Sequence, residues 1–162
     1  MSSPQLEHAH AHGAAHVSHA GLQFLMREEG FVPHAYNDSR GNATFGVGHL
    51  IHIGRVTAAD RRRFGSKAHP KSRAFVKRVL RQDIERFERA VLDAVTVRLA
   101  PHELDALVSL AFNIGTGAFA SSTVVRRLNA GDRRGAADAF LLFRIPPELI
   151  HRRRRERALF LG

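Results

Sequence analysis

Apolar residues recur along this chain at two different periods. Leu22, Leu25 and Met26 stand at i, i+3 and i+4, the stripe of a short helix with one buried face. Ser18 ahead of it is a good N-cap and Gly30 behind it is placed to end it, which puts Glu29 in the last turn. Residues 31–54 lose that period. Thr44, Phe45 and Val47 favour strands, and Gly46 and Gly48 allow close backbone approach. Asp38-Ser39-Arg40-Gly41-Asn42 is turn chemistry, so a small hairpin or three-stranded sheet is expected there. A polar connector over 55–70, containing Arg61-Arg62-Arg63 and His69-Pro70, precedes a second helical pattern. Phe75, Val79, Ile84, Phe87 and Val91 predict one long amphipathic helix over about 71–95.

The remainder reads as helix. Pro101 sits near the start of one that carries Leu104, Leu107, Val108, Ala111 and Phe112 and stops around Asn113-Ile114-Gly115. Ser121 or Ser122 caps the next, which ends at Asn129-Ala130-Gly131. Asp132 opens another, running to about Phe143, and Pro146-Pro147 breaks the chain before an Arg-rich helix over roughly 148–160. The fold class is therefore α+β. A small strand-bearing lobe covers about 18–58, a connector and linking helix about 59–95, and a helical lobe about 96–162, all within a single domain from 18 to 162. A cleft between such lobes is a favoured place for a ligand.

The first 17 residues form a His/Ala-rich leader, read as flexible. His8, His10, His12, His16 and His19 lie in or beside it, and His12, His16 and His19 would share a helix face. No acidic or cysteine partners complete a ligand set, so neither a metal nor another cofactor is expected.

Length and composition narrow the picture. The chain has 162 residues, 44% of them apolar, which suits one globular domain. It has no cysteine, so disulfides contribute nothing. No apolar stretch approaches the ~18–20 residues of a membrane span. Met1 to Ala20 has neither the basic start nor the apolar core of a secretory signal, so synthesis in the cytoplasm is expected. The charge is the unusual feature: 25 Lys and Arg against 15 Asp and Glu, a formal +10. Such a protein is drawn to polyanions, whether nucleic acid, anionic membrane, or a wall carrying teichoic acid and peptide carboxylates. Arg152 to Arg155 contribute to this charge, as an anchoring patch or as a solvated helix face. No groove-entering or base-stacking motif accompanies it, with one Tyr and no Trp. A basic face turned to an anionic wall or membrane surface is expected, with no specific nucleic acid, and the protein is read as a monomer.

The candidate chemistry lies in one run. Glu29 at a helix end, Asp38 nine residues later in a Gly-rich turn, and Thr44 six residues further bring two carboxylates and a hydroxyl together in sequence. Glycoside hydrolysis needs one carboxyl as acid on the leaving oxygen and a second carboxylate to stabilise the developing cation or to activate water. A helix C-terminus disfavours the charged form of a carboxylate placed there, and partial burial at the lobe junction would add to that, so Glu29 suits the acid. Asp38, beside turn N–H groups, Ser39 and Arg40, suits the ionised partner, and Thr44 can hold a water against it. Each residue alone also reads as ordinary: a solvated helix end, a turn aspartate, a strand threonine. The case rests on the arrangement.

That arrangement resembles the phage-type lysozymes, the endolysin muramidases. Glu29-Gly30, then Tyr36-Asn37-Asp38-Ser39-Arg40-Gly41, then Thr44-Phe45-Gly46-Val47-Gly48-His49 follow the family's order. Leu80-Arg81-Gln82-Asp83 resembles its connecting helix. The stretch from Ala106 to Phe119, that from Ser122 to Asp132, and Arg152-Arg153 with Glu156 resemble its helical lobe. The resemblance implies the two-lobed lysozyme-like fold and hydrolysis of the β-1,4 bond between N-acetylmuramic acid and N-acetylglucosamine in bacterial peptidoglycan, in a phage or prophage endolysin that reaches the wall once the membrane is opened. By position it makes Glu29 the general acid, and Asp38 and Thr44 the groups that place the attacking water, with inversion at the anomeric carbon. It puts Gly48, His49, Leu50, Phe112 and Asn113 at the glycan, with core packing the equal alternative for Phe112. His49 is placed to pair with Asp83. The chain departs from the family pattern in lacking tryptophan, with Phe143 at a position where many relatives carry one, and in its connector from His52 to Lys71, which aligns poorly.

Three other functions compete. A lytic transglycosylase would need the Glu but not Asp38 and Thr44. An inactive wall-binding module would not need to retain all three. A nucleic-acid-binding protein would show a steep salt dependence and no dependence on Glu29.

Overall fold

The structure, a computed structural model, describes residues 14–162. His8, His10 and His12 lie outside the described residues. The chain divides into two compact units: Leu22–Asp83, and the residues up to Gly21 together with Ile84–Gly162.

The first unit carries the sheet. Helix α1 (His19–Glu29) ends on Gly30, whose φ of 68° is the left-handed conformation that closes a helix. Three antiparallel strands follow in the order β1 (Val32–Asn37), β2 (Ala43–Gly46), β3 (His49–His52). Tyr36 lies opposite Thr44, and Phe45 opposite His49. The β1–β2 turn closes with the Gly41 N–H donating to the Asp38 carbonyl at 2.9 Å. The β2–β3 turn places Gly48 at φ 64°, which a side chain would strain. Phe45 is fully buried between strand and helices, 5.2 Å from the Phe64 ring and 5.6 Å, edge-on, from Phe75.

Two elements differ from the sequence reading. The connector holds a helix, α2 (Ala58–Phe64), started by a capping box: Thr57 Oγ1 accepts from the Asp60 N–H and the Asp60 carboxylate accepts from the Thr57 N–H. The long helix over 71–95 is two, α3 (Arg73–Asp83) and α4 (Glu85–Ala94), separated at Ile84. Ile84 keeps a right-handed conformation, but with its ψ of −10° the ladder tightens by one residue there, so that Phe87 and Glu88 both donate to its carbonyl. No glycine or proline marks the break.

The second unit is helical among its described residues. Its axis is α5 (Pro101–Ile114), with every residue from Glu103 to Ala111 buried, as expected of a helix packed on all sides. Pro101 opens it, and Glu103 caps it by accepting the Ala100 N–H at 2.9 Å. A short helix absent from the sequence reading, α6 (Thr116–Ala120), follows Gly115. Ser122 caps α7 (Thr123–Asn129) and Asp132 caps α8 (Arg133–Ala139). The expected run to Phe143 tightens into a 3-10 turn over Phe140–Leu142, and α9 (Leu149–Leu161) ends the chain. Fully burying a side chain such as Phe140 stabilises by about 1.5–3 kcal/mol.

Residues 14–18 are not helical, so His16 shares no helix face with His19. Instead His16 Nδ1 lies 3.0 Å from the buried Glu88 carboxylate, which also accepts the Val17 N–H. Ser18 donates through its N–H and its hydroxyl to buried Asp105, at 2.8 and 2.5 Å. Among the described residues, no helix is long and apolar enough to cross a membrane.

Candidate active site

Glu29, Asp38, Thr44, Gly48, His49 and Leu50 all lie in the sheet-bearing unit. The turn between β1 and β2 aims Asp38. Its Oδ1 accepts the backbone N–H groups of Arg40 at 2.8 Å and Asn42 at 2.9 Å, while its own N–H donates to the Asn42 carbonyl. The Asn42 N–H foremost, opposed by the next-largest effect, burial, and helped by the Arg40 N–H, the Thr44 hydroxyl and the Arg40 charge, holds the Asp38 carboxyl below the usual carboxylate range. Asp38 thus stays ionised through the mildly acidic range, as the sequence suggested.

Thr44, only 4% exposed, follows on β2. Its hydroxyl lies 3.1 Å from the Asn42 carbonyl and 3.4 Å from Asp38 Oδ2. One proton cannot serve both acceptors, and 3.4 Å is long for a direct bond from a hydroxyl to a carboxylate. Tyr36, opposite Thr44, has its phenol pushed above the ordinary range by burial first and by the Asp38 charge second. The sequence marks Asn42 only as a turn residue. Its backbone holds Asp38 at both ends and its side chain accepts the Gly54 N–H at 3.0 Å. The four-residue spacing from Asp38 was the available signal.

Glu29 is the last residue of α1 and is exposed. The helix stops at once, on Gly30.

Gly48, in the β2–β3 turn, and Leu50, on β3, are exposed, Leu50 by 50%. His49 is half-buried. Its Nδ1 lies 2.9 Å from an oxygen of Asp83, the last residue of α3, and its ring 5.8 Å from Phe64. The expected His49–Asp83 pair is present within this one unit. Further along, both ring nitrogens of His52 face acceptors, the Ile53 carbonyl at 3.0 Å and the Asp60 carboxylate at 2.8 Å. Only the doubly protonated ring satisfies both, and these partners, the Ile53 carbonyl foremost, raise its pKa.

Phe112 and Asn113 belong to the helical unit. Phe112 is half-buried and packs on the Phe87 ring at 5.0 Å, which favours the core alternative for much of its surface. With Arg86, Ile114, Gly115 and Thr116, these residues line a concavity of about 390 Å³. The Asn113 side chain accepts from Arg153.

The Arg-rich stretch of α9 is not a continuous surface patch. Arg152 and Arg153 are buried around Glu156, which is fully buried. Arg152 Nε donates to Glu156 at 2.9 Å, Arg153 Nη1 donates to its other oxygen, and the Ser109 hydroxyl donates at 2.6 Å. Arg154 and Arg155 are exposed.

The family profile described as phage lysozyme matches residues 26–156. The endolysin of Salmonella phage P22 is 43% identical over 150 residues, covering 90% of this chain and 98% of the relative. The endolysin of Acyrthosiphon pisum secondary endosymbiont phage 1 is 35% identical over 156 residues, covering 90% and 97%. Among solved structures, a P22 lysozyme mutant aligns with a TM-score of 0.78 at 41% identity over 92% of this chain and all of that one. The muramidase domain of SpmX from Asticaccaulis excentricus aligns with a TM-score of 0.70 at 31% identity, over 92% and 99%.

Proposed function

This chain belongs to the phage lysozyme family, and from that premise we propose that it is an endolysin whose Glu29, Asp38 and Thr44 carry the hydrolysis of peptidoglycan. It is a lysozyme-type glycoside hydrolase, and the bond it cuts is the β-1,4 link between N-acetylmuramic acid and N-acetylglucosamine. The observation that carries the assignment of residues is the setting of Asp38. Two backbone N–H groups fix one carboxylate oxygen, and the other faces the Thr44 hydroxyl across 3.4 Å.

Glu29, in its acid form, protonates the oxygen of the leaving sugar. As that bond breaks, positive charge develops at the anomeric carbon. Water attacks from the other side, held between Asp38 Oδ2 and the Thr44 oxygen. If Thr44 donates its proton to the Asn42 carbonyl, 3.1 Å away, its lone pairs are left for that water. Asp38, kept ionised by its turn, takes the water's proton. Attack by water rather than by Asp38 itself inverts the anomeric centre. We place the reaction at the cell wall, reached after the membrane has been opened.

The residue assignment is tested by reducing-end release from purified peptidoglycan. Glu29→Gln and Asp38→Asn each lower the rate by at least about a hundredfold. A wild-type rate in either variant removes that residue from the mechanism.

A further inference from the structure

Ten of the 25 lysines and arginines fall between Arg55 and Arg81, against one acid, Asp60. That acid is engaged by His52 and Thr57. Arg61, Arg62, Arg63, Lys67, Arg73 and Arg78 are all exposed, and none has a carboxylate partner among the described residues. Nearly all of the chain's net +10 is therefore carried by one stretch of the sheet-bearing unit.

Three of these cations lie against two neighbouring aromatic rings. Arg63 lies 5.1 Å from the centre of the Phe64 ring, and Lys71 and Arg78 lie 5.1 and 5.4 Å from that of Phe75. The two rings are 6.4 Å apart. The stretch is also tied to β1, with the Lys71 N–H donating to the Pro33 carbonyl at 2.7 Å and the Ala35 N–H to the Gly65 carbonyl at 3.1 Å. β1 leads directly into the Asp38 turn.

We infer that this face is a docking surface for the carboxylates of the peptide stems of peptidoglycan, separate from the residues that act on the sugar bond. The inference rests on the proposed function, which sets a polymer bearing those carboxylates beside this unit. The surface itself favours such a polymer over a nucleic acid. Phe64 is 6% exposed and Lys71 and Arg78 lie over the Phe75 ring, so these two rings offer no free face to a nucleobase. A field of this kind raises the local concentration of an anionic partner and weakens with salt.

The test is co-sedimentation of the Glu29→Gln protein with intact peptidoglycan, so that the polymer survives, with and without Arg61→Gln, Arg62→Gln and Lys67→Gln. The three changes are expected to weaken binding at least about tenfold at low salt. Converting the carboxylates of the peptidoglycan to amides should weaken binding of the parent to the same level. Equal binding by parent and triple variant, or no effect of amidation, overturns the inference. Retention on anionic vesicles or DNA with no preference for peptidoglycan also overturns it. Reducing-end release by the wild type, read separately on amidated peptidoglycan, reports on the enzyme itself. Its absence there would count against the hydrolase rather than the surface.

Discussion

Two arginine runs in this chain look alike in sequence and end in opposite states. Arg61-Arg62-Arg63 on α2 stands in solvent, while Arg152 and Arg153 on α9 are folded around a fully buried Glu156. The difference lies in the position of the nearest acid. Glu156 comes at i+4 from Arg152 and i+3 from Arg153, so a helix brings all three to one face. The run on α2 has no acid within a turn after it. Only Asp60 precedes it, and that carboxylate closes the helix N-terminus and holds His52. One unit uses charge internally to join helices. The other presents charge outward, on the same body as the proposed catalytic residues.

The comparison breaks most visibly at Glu156. Replacing it by Ala leaves two buried guanidinium groups without their acid, and stability falls by about 3–5 kcal/mol in urea unfolding. A loss under about 1 kcal/mol would mean that the buried cluster does not depend on its acid. Next in size is Gly21→Ala. A Cβ there would sit 2.4 Å from the Asp105 carboxylate that holds Ser18, and the displacement costs about 1–3 kcal/mol by the same measurement. In the sheet-bearing unit the effects move from stability to rate. Thr44→Ala slows peptidoglycan cleavage between about tenfold and a hundredfold with its melting temperature little changed. Smaller still is a pH effect at His52. Its raised pKa stabilises the fold fully below its ordinary value near 6.5, and that contribution is lost as pH rises through the higher folded value. The melting temperature should therefore decline slightly across that window, and the decline should vanish in His52→Gln. The triple change at Arg61, Arg62 and Lys67 shifts stability least, within about 0.5 kcal/mol, because these side chains hold nothing inside the unit.

Much of the fold was legible in the sequence because local chemistry and tertiary structure agree. Ser18, Ser122 and Asp132 cap the helices that their positions suggested, and the Asp38 turn joins two strands as its residues implied. Helix α2 was legible and missed: Thr57 and Asp60 have the spacing of a capping box, hidden by the polar character of the connector. The break at Ile84 was not legible, since the apolar spacing runs through it unbroken and only a backbone angle departs. At the candidate site, the charge state expected of Asp38 follows from neighbours within a few residues, which sequence displays. The exposure of Glu29 depends on what packs around a helix end, which sequence does not display.

The most direct test of the central claim compares wild type with Glu29→Gln on purified peptidoglycan, with mass analysis of the released fragments. The account predicts clearing by the wild type alone, with reducing muramic-acid ends. Clearing by Glu29→Gln at the wild-type rate, or anhydro ends from the wild type, would contradict it.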